Sequence, residues 1–126
     1  MKMPVILTLI FICSFCFGEP SEDIDFSEAL ERARLDEKLL ARHIQKKVFK
    51  IHAKTAAYFM KSCAENIDQP QEAFTVVFET DADGKVIYSW LSPMSDHAKC
   101  FAGITFRKHF PKPEKTPFYT FVEWIP

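Results

Sequence analysis

Glycine is scarce in this sequence, with three residues among 126, and that scarcity excludes several function classes. A phosphate-cradling loop needs glycines close together so that the backbone can approach the anion, and no such cluster occurs. No serine stands between glycines in the sharp turn that exposes a nucleophile. A basic excess is missing as well, because 16 Lys and Arg face 17 Asp and Glu. The chain lacks the basic excess that would provide phosphate contacts along nucleic acid. The expectation is no catalytic residue, no cofactor and no nucleic-acid partner.

Neither Gly nor Pro occurs between Asp25 and Asn66. Without those breakers, and with Ala, Leu, Glu, Lys and Arg in abundance, the span favours helix. Asp25 followed by Glu28 has the form of a capping box and marks the start. Leu40, Ile44, Val48, Ile51, Thr55, Tyr58, Phe59 and Cys63 recur at three- and four-residue steps and define one apolar stripe. Before Leu39 the stripe fades into Glu31, Arg32, Arg34, Asp36, Glu37 and Lys38. A straight helix over the whole span would be on the order of 60 Å long, more than a domain of this size covers. The charged stretch is therefore read as an arm, either a separate short helix or an extension projecting from the domain, solvated on the plainer account and a docking arm or homodimer contact on the sharper one.

Only one long apolar run exists, Val5 to Phe17, preceded by Lys2 and ended by Gly18. It is too short to span a bilayer as a folded helix and has the form of a secretory signal peptide. Large residues before Cys13 and Cys16 argue against a lipoprotein site. On this reading residues 1–18 are the signal, 19–38 the charged arm and 39–126 the domain. Removal of the signal takes Lys2 away, leaving 15 basic against 17 acidic residues. The expected location is periplasmic or secreted, with no stable membrane span after cleavage.

Phe74 to Leu91 carries the clearest local instruction. Two runs rich in Val, Ile, Phe, Tyr and Trp flank Asp81-Ala82-Asp83-Gly84, which reads as a β-hairpin. Phe74, Val76 and Phe78 alternate with Thr75, Val77 and Glu79, giving one bulky apolar side. Ser92-Pro93 turns the chain, Ser95 or Asp96 caps a shorter helix through Cys100, Phe101 and Ile104, and Gly103 inside it suggests close packing. Phe118 to Ile125 reads as a third strand. The fold class is α+β: a long N-terminal helix, then β-β-α-β, with a three-stranded antiparallel sheet covered on one face by helices.

Cys63 and Cys100 are the two cysteines left after processing, and an even pair in an exported chain points to a disulfide. Bonded, they would tie the end of the first helix to the second across the hairpin. His97 and Cys100 also have the spacing of a metal half-site; a zinc site would need Cys63 and one of His43, His52 or His109 to converge on them. A Cys-His nucleophile would need an unbonded thiolate, which an oxidising compartment opposes. Asp81 and Asp83 favour the turn and face water. Tyr119, Phe121 and Trp124 lie on a strand that the pattern places at a sheet edge, where aromatics suit a binding surface.

The order Cys63, hairpin with Asp83-Gly84-Lys85-Val86, Cys100, Phe110-Pro-Lys-Pro113 and aromatic terminal strand resembles the C-terminal domain of the TonB energy transducers, and more closely the AgmX-type terminal modules. The likeness covers about residues 51–126. It departs at Glu72-Ala73, where the family has Gly-x-Val, and in lacking an anchor joined through a Pro-rich spacer. The resemblance implies a non-catalytic module that binds another envelope protein by strand addition or helix docking, and Tyr119, Phe121, Trp124, Asp81 and Asp83 are the candidate contact residues. The alternative function is a periplasmic inhibitor or immunity protein, with the hairpin tip or arm inserted into an enzyme or toxin.

Overall fold

A computed structural model describes residues 19–126; the expected signal peptide lies outside the described residues. Helix α1 runs Phe26–Leu39 and α2 runs Arg42–Phe59, the latter extended by a π-helical turn Met60–Ala64. Strands β1 (Phe74–Thr80) and β2 (Val86–Ser92), helix α3 (Asp96–Thr105) and strand β3 (Phe118–Trp124) follow. The sheet is antiparallel in the order β2-β1-β3, so β1 is central and the other two strands are edges. The α+β class and the three-stranded sheet are as the sequence indicates.

Local signals explain where the elements begin. Asp25 accepts the Glu28 N–H at 2.9 Å and Ser95 accepts the Ala98 N–H at 3.1 Å, so both expected side-chain caps close helix N-termini. Asp81 Oδ1 accepts the N–H groups of Asp83 and Lys85, and Gly84 turns the hairpin at φ +86°. The Phe110 N–H donates to the Gly84 carbonyl at 2.8 Å, and a side chain at Gly84 would collide with the Phe110 backbone.

Two sequence expectations are corrected. The long helix is broken at Leu40 and Ala41, whose ψ values of 143° and 145° are extended. Helices also cover both faces of the sheet instead of one. Val76, Phe78, Phe74 and Val122 face α2 and α3, where they pack with Val48, Phe59, Cys63, Ala98 and Phe101. Val77, Trp90 and Tyr119 face the other way and pack with Ala29 and Ala33 of α1. The segment expected to project is thus half of a sandwich, and Leu40-Ala41 is where the chain rounds the β3 edge from one face to the other. Burying small Ala side chains lets α1 approach the sheet closely, while Glu28, Glu31, Arg34 and Lys38 are exposed.

The preceding residues are tied to the same face. Trp90 donates its indole N–H to the Ile24 carbonyl at 3.1 Å, and the Ser21 N–H reaches the buried Glu79 carboxylate at 3.2 Å. On the opposite face Cys63 and Cys100 are disulfide-bonded, their Cα atoms 6.2 Å apart, which joins the end of α2 to α3. That bond removes both thiolates from any zinc set, and His97 is instead buried with its ring against Phe59. Smaller departures are Tyr58, exposed where the stripe placed it inward, and Gly103, which has nothing within 4 Å of where a side chain would sit. Among the described residues no helix is long and apolar enough to cross a membrane.

Candidate functional site

Two strands have an outer edge, and the chain treats them differently. Along β3 the edge is occupied. The Tyr119 N–H donates to Asp36 Oδ2 at 3.0 Å and the Phe121 N–H donates to Glu37 Oε2 at 3.1 Å. Consecutive carboxylates at the end of α1 therefore satisfy alternate outward N–H groups of the strand, as a partner's carbonyls would. Lys115 adds an ion pair to Asp36 at 3.3 Å. This is edge protection by inward-pointing charge, made available because α1 ends where the chain rounds β3.

The second carboxylate belongs to a buried chain of contacts. Thr120 Oγ1 donates to Glu37 Oε2 and lies 2.7 Å from His52 Nε2. With its hydrogen committed to Glu37, Thr120 accepts from His52, which fixes the proton on Nε2 and leaves buried Nδ1 without a partner. Burial pushes Glu37 above the usual carboxylate range, against the opposing hydrogen bonds from Thr120 and Phe121, and pushes His52 down to about 4. Thr120 is fully buried and engaged on both sides, so it is a strut between α1, β3 and α2 and is not presented to a substrate. Glu37 and His52 also line a groove of about 800 Å³ between α2 and β3, whose apolar walls include Leu40, Val48, Phe49 and Val122.

Along β2 the edge is open. Because Tyr119 and Phe121 point their backbone groups away from β1, their partners Glu79 and Val77 must point theirs toward β2, at Tyr88 and Trp90. Ser89 and Leu91 are left with N–H and C=O groups directed outward, while Ile87 is the extra residue of a bulge opposite Glu79 and Thr80. Beyond the β1 ladder, among the described residues no backbone hydrogen bond from another segment reaches Val86–Ser92.

The residues singled out in the sequence are scattered by the fold. Tyr119 is only 2% exposed and belongs to the core, and Trp124 is half-buried, packing edge-on to Phe59 at 4.9 Å between the ring centroids. Phe121 is half-buried under the Arg34 guanidinium, itself paired with Glu123 at 3.2 Å. Of the expected aromatic strip on β3, Tyr119 is corrected to a core residue, Phe121 and Trp124 stay half-buried, and the outward N–H groups at positions 119 and 121 are taken. Asp81 and Asp83 remain at the hairpin tip, where the Lys85 N–H holds the Asp81 carboxyl below its usual range. Sequence reasoning missed Asp36, Glu37, His52 and Thr120, since nothing local couples an acidic pair to a strand more than 80 residues away.

The fold and its unequal edges define a small α+β domain, a three-stranded sheet held between helices with one strand edge sealed and one free. No protein-family model, no curated protein and no solved structure matches the chain.

Proposed function

We propose that this chain is an exported, non-catalytic protein-binding module of the cell envelope, TonB C-terminal-like in architecture, that takes an extended segment of a partner protein as a fourth strand on the outer edge of β2. The observation that carries the reading is the asymmetry of the edges: Asp36 and Glu37 take the outward N–H groups of Tyr119 and Phe121 on β3, and among the described residues no side chain does so along β2. An unpaired edge is a template for another chain, and main-chain hydrogen bonds at alternate residues supply affinity with little demand on sequence. Export is supported by the apolar run after Lys2 and by the Cys63–Cys100 bond, which persists in an oxidising compartment. A non-catalytic role is favoured by the commitment of the Thr120 hydroxyl to Glu37 and His52 on both sides.

The test is selection of binders from a displayed library of short extended peptides, followed by Ser89→Pro. Proline there deletes an outward N–H and spares the β1 ladder, a position that edge strands tolerate. Loss of binding by a folded Ser89→Pro variant, with Asp83→Ala unaffected, supports strand addition. The reverse pattern overturns it in favour of the inhibitor reading, in which the Asp81 and Asp83 tip is inserted into an enzyme.

A further inference from the structure

Charge is segregated on this molecule in a way that its near-zero net balance hides. Arg42, Lys46, Lys47, Lys50 and Lys54 are all exposed on α2, and the helix contains no acidic residue. None of the five takes part in an ion pair among the described residues. Three of them converge. Lys47, Lys50 and Lys54 line one side of a cavity of about 380 Å³, His109 lines the other, and Ile51 and Phe110 contribute its apolar walls. No acidic side chain is among the lining residues. Three ammonium groups around one depression repel each other, and an anion entering it would relieve that repulsion. Phe49 stands 73% exposed on the same helix, beside the lysines.

We propose that the basic face of α2 docks on an anionic phospholipid bilayer, with the Lys47, Lys50, Lys54 and His109 depression receiving a lipid phosphate headgroup. This goes beyond partner capture and uses a different surface from the β2 edge. Charge complementarity selects the occupant. A helix whose exposed face is basic without acidic interruption, with an aromatic at its margin, suits a broad anionic plane. A lipid phosphate fits the depression, with its glycerol and upper acyl carbons meeting Ile51 and Phe110. The contact is peripheral: the lysines stay hydrated and the binding is screened by salt.

Vesicle co-sedimentation of the disulfide-bonded protein tests it. Binding is expected to vesicles containing phosphatidylglycerol and not to pure phosphatidylcholine, and it should fall as salt is raised. Each lysine neutralised should weaken partitioning about fivefold, so Lys47→Gln, Lys50→Gln and Lys54→Gln together should cost roughly a hundredfold. Lys99→Gln, an equal charge change on α3, should have much less effect than Lys50→Gln. Equal binding to neutral vesicles, equal loss with Lys99→Gln, or no binding by the folded protein would each overturn the proposal. Inorganic phosphate titrated against the protein distinguishes the source of the anion: tight lysine-dependent phosphate binding without vesicle binding would reject the lipid assignment.

Discussion

Acidification should destabilise this domain through one residue, His52. Its ring lies against Phe110 and Phe78, at centroid distances of 5.3 and 6.4 Å, and burial holds its pKa at about 4, below the ordinary 6.5. The unfolded chain therefore takes up a proton as pH falls through 6.5 while the folded chain does not until about 4. Stability from this residue is fully present above 6.5 and is lost across that window, by about 3 kcal/mol at ~1.4 kcal/mol per pH unit. Glu37 acts in the opposite sense. Burial raises it, so the folded state accepts its proton first and gains stability as pH falls from the raised value toward 4.5. The assay is urea unfolding at a series of pH values, read by the fluorescence of the tryptophans, both of which pack against the sheet. Phe is the replacement of choice at His52, since a ring is kept among aromatic neighbours. His52→Phe loses the bond to Thr120 and should start less stable, but the extra acid-induced loss between pH 6.5 and 4 should vanish, and Glu37→Gln should make the wild-type loss larger. Parallel curves for wild type and His52→Phe would refute the assignment of the acid sensitivity to this residue.

Other perturbations separate the remaining parts of the structure. Asp36→Ala leaves the buried Tyr119 N–H without an acceptor and should cost about 1–3 kcal/mol in denaturant unfolding; it should also promote concentration-dependent association, visible by sedimentation, as the β3 edge is unsealed. Replacing Cys63 and Cys100 with Ser opens a loop of sequence separation 37 and should lower stability by about 4 kcal/mol on the chain-entropy argument, measured as a shift in the urea midpoint. Ser89→Pro should leave the melting temperature within a few degrees of wild type while abolishing peptide capture; collapse of the fold would mean that Ser89 faces β1 and that the edge geometry is misassigned.

The legible parts of this fold were those encoded within a few residues. Asp25 and Ser95 reach only three positions to cap their helices, the Asp81–Gly84 turn is set by its own side chains, and period-two alternation over Phe74–Phe78 names the face that meets α2 and α3. The cysteine pair was readable because compartment and parity restrict its options. What escaped is long-range. Leu40-Ala41 contains no breaker, and the helix stops there because α1 and α2 must reach opposite faces of one sheet. The charged spacing of α1 hid a narrow stripe of Ala29 and Ala33, small residues that carry little hydrophobic signal yet suffice for contact with Val77 and Tyr119. The acidic pair at positions 36 and 37 reads as a solvated helix end until the edge of β3 is brought beside it. For the same reason Tyr119 and Trp124 read as candidate binding aromatics, although packing claims both.

Residue-resolved amide hydrogen exchange, in the free protein and with a selected peptide bound, tests the unequal edges most directly. Ser89 and Leu91 should exchange quickly when free and become protected on binding, while Tyr119 and Phe121 stay slow throughout. Protection that appears instead at the hairpin tip, or fast exchange at Tyr119 and Phe121 in the free protein, would contradict the account.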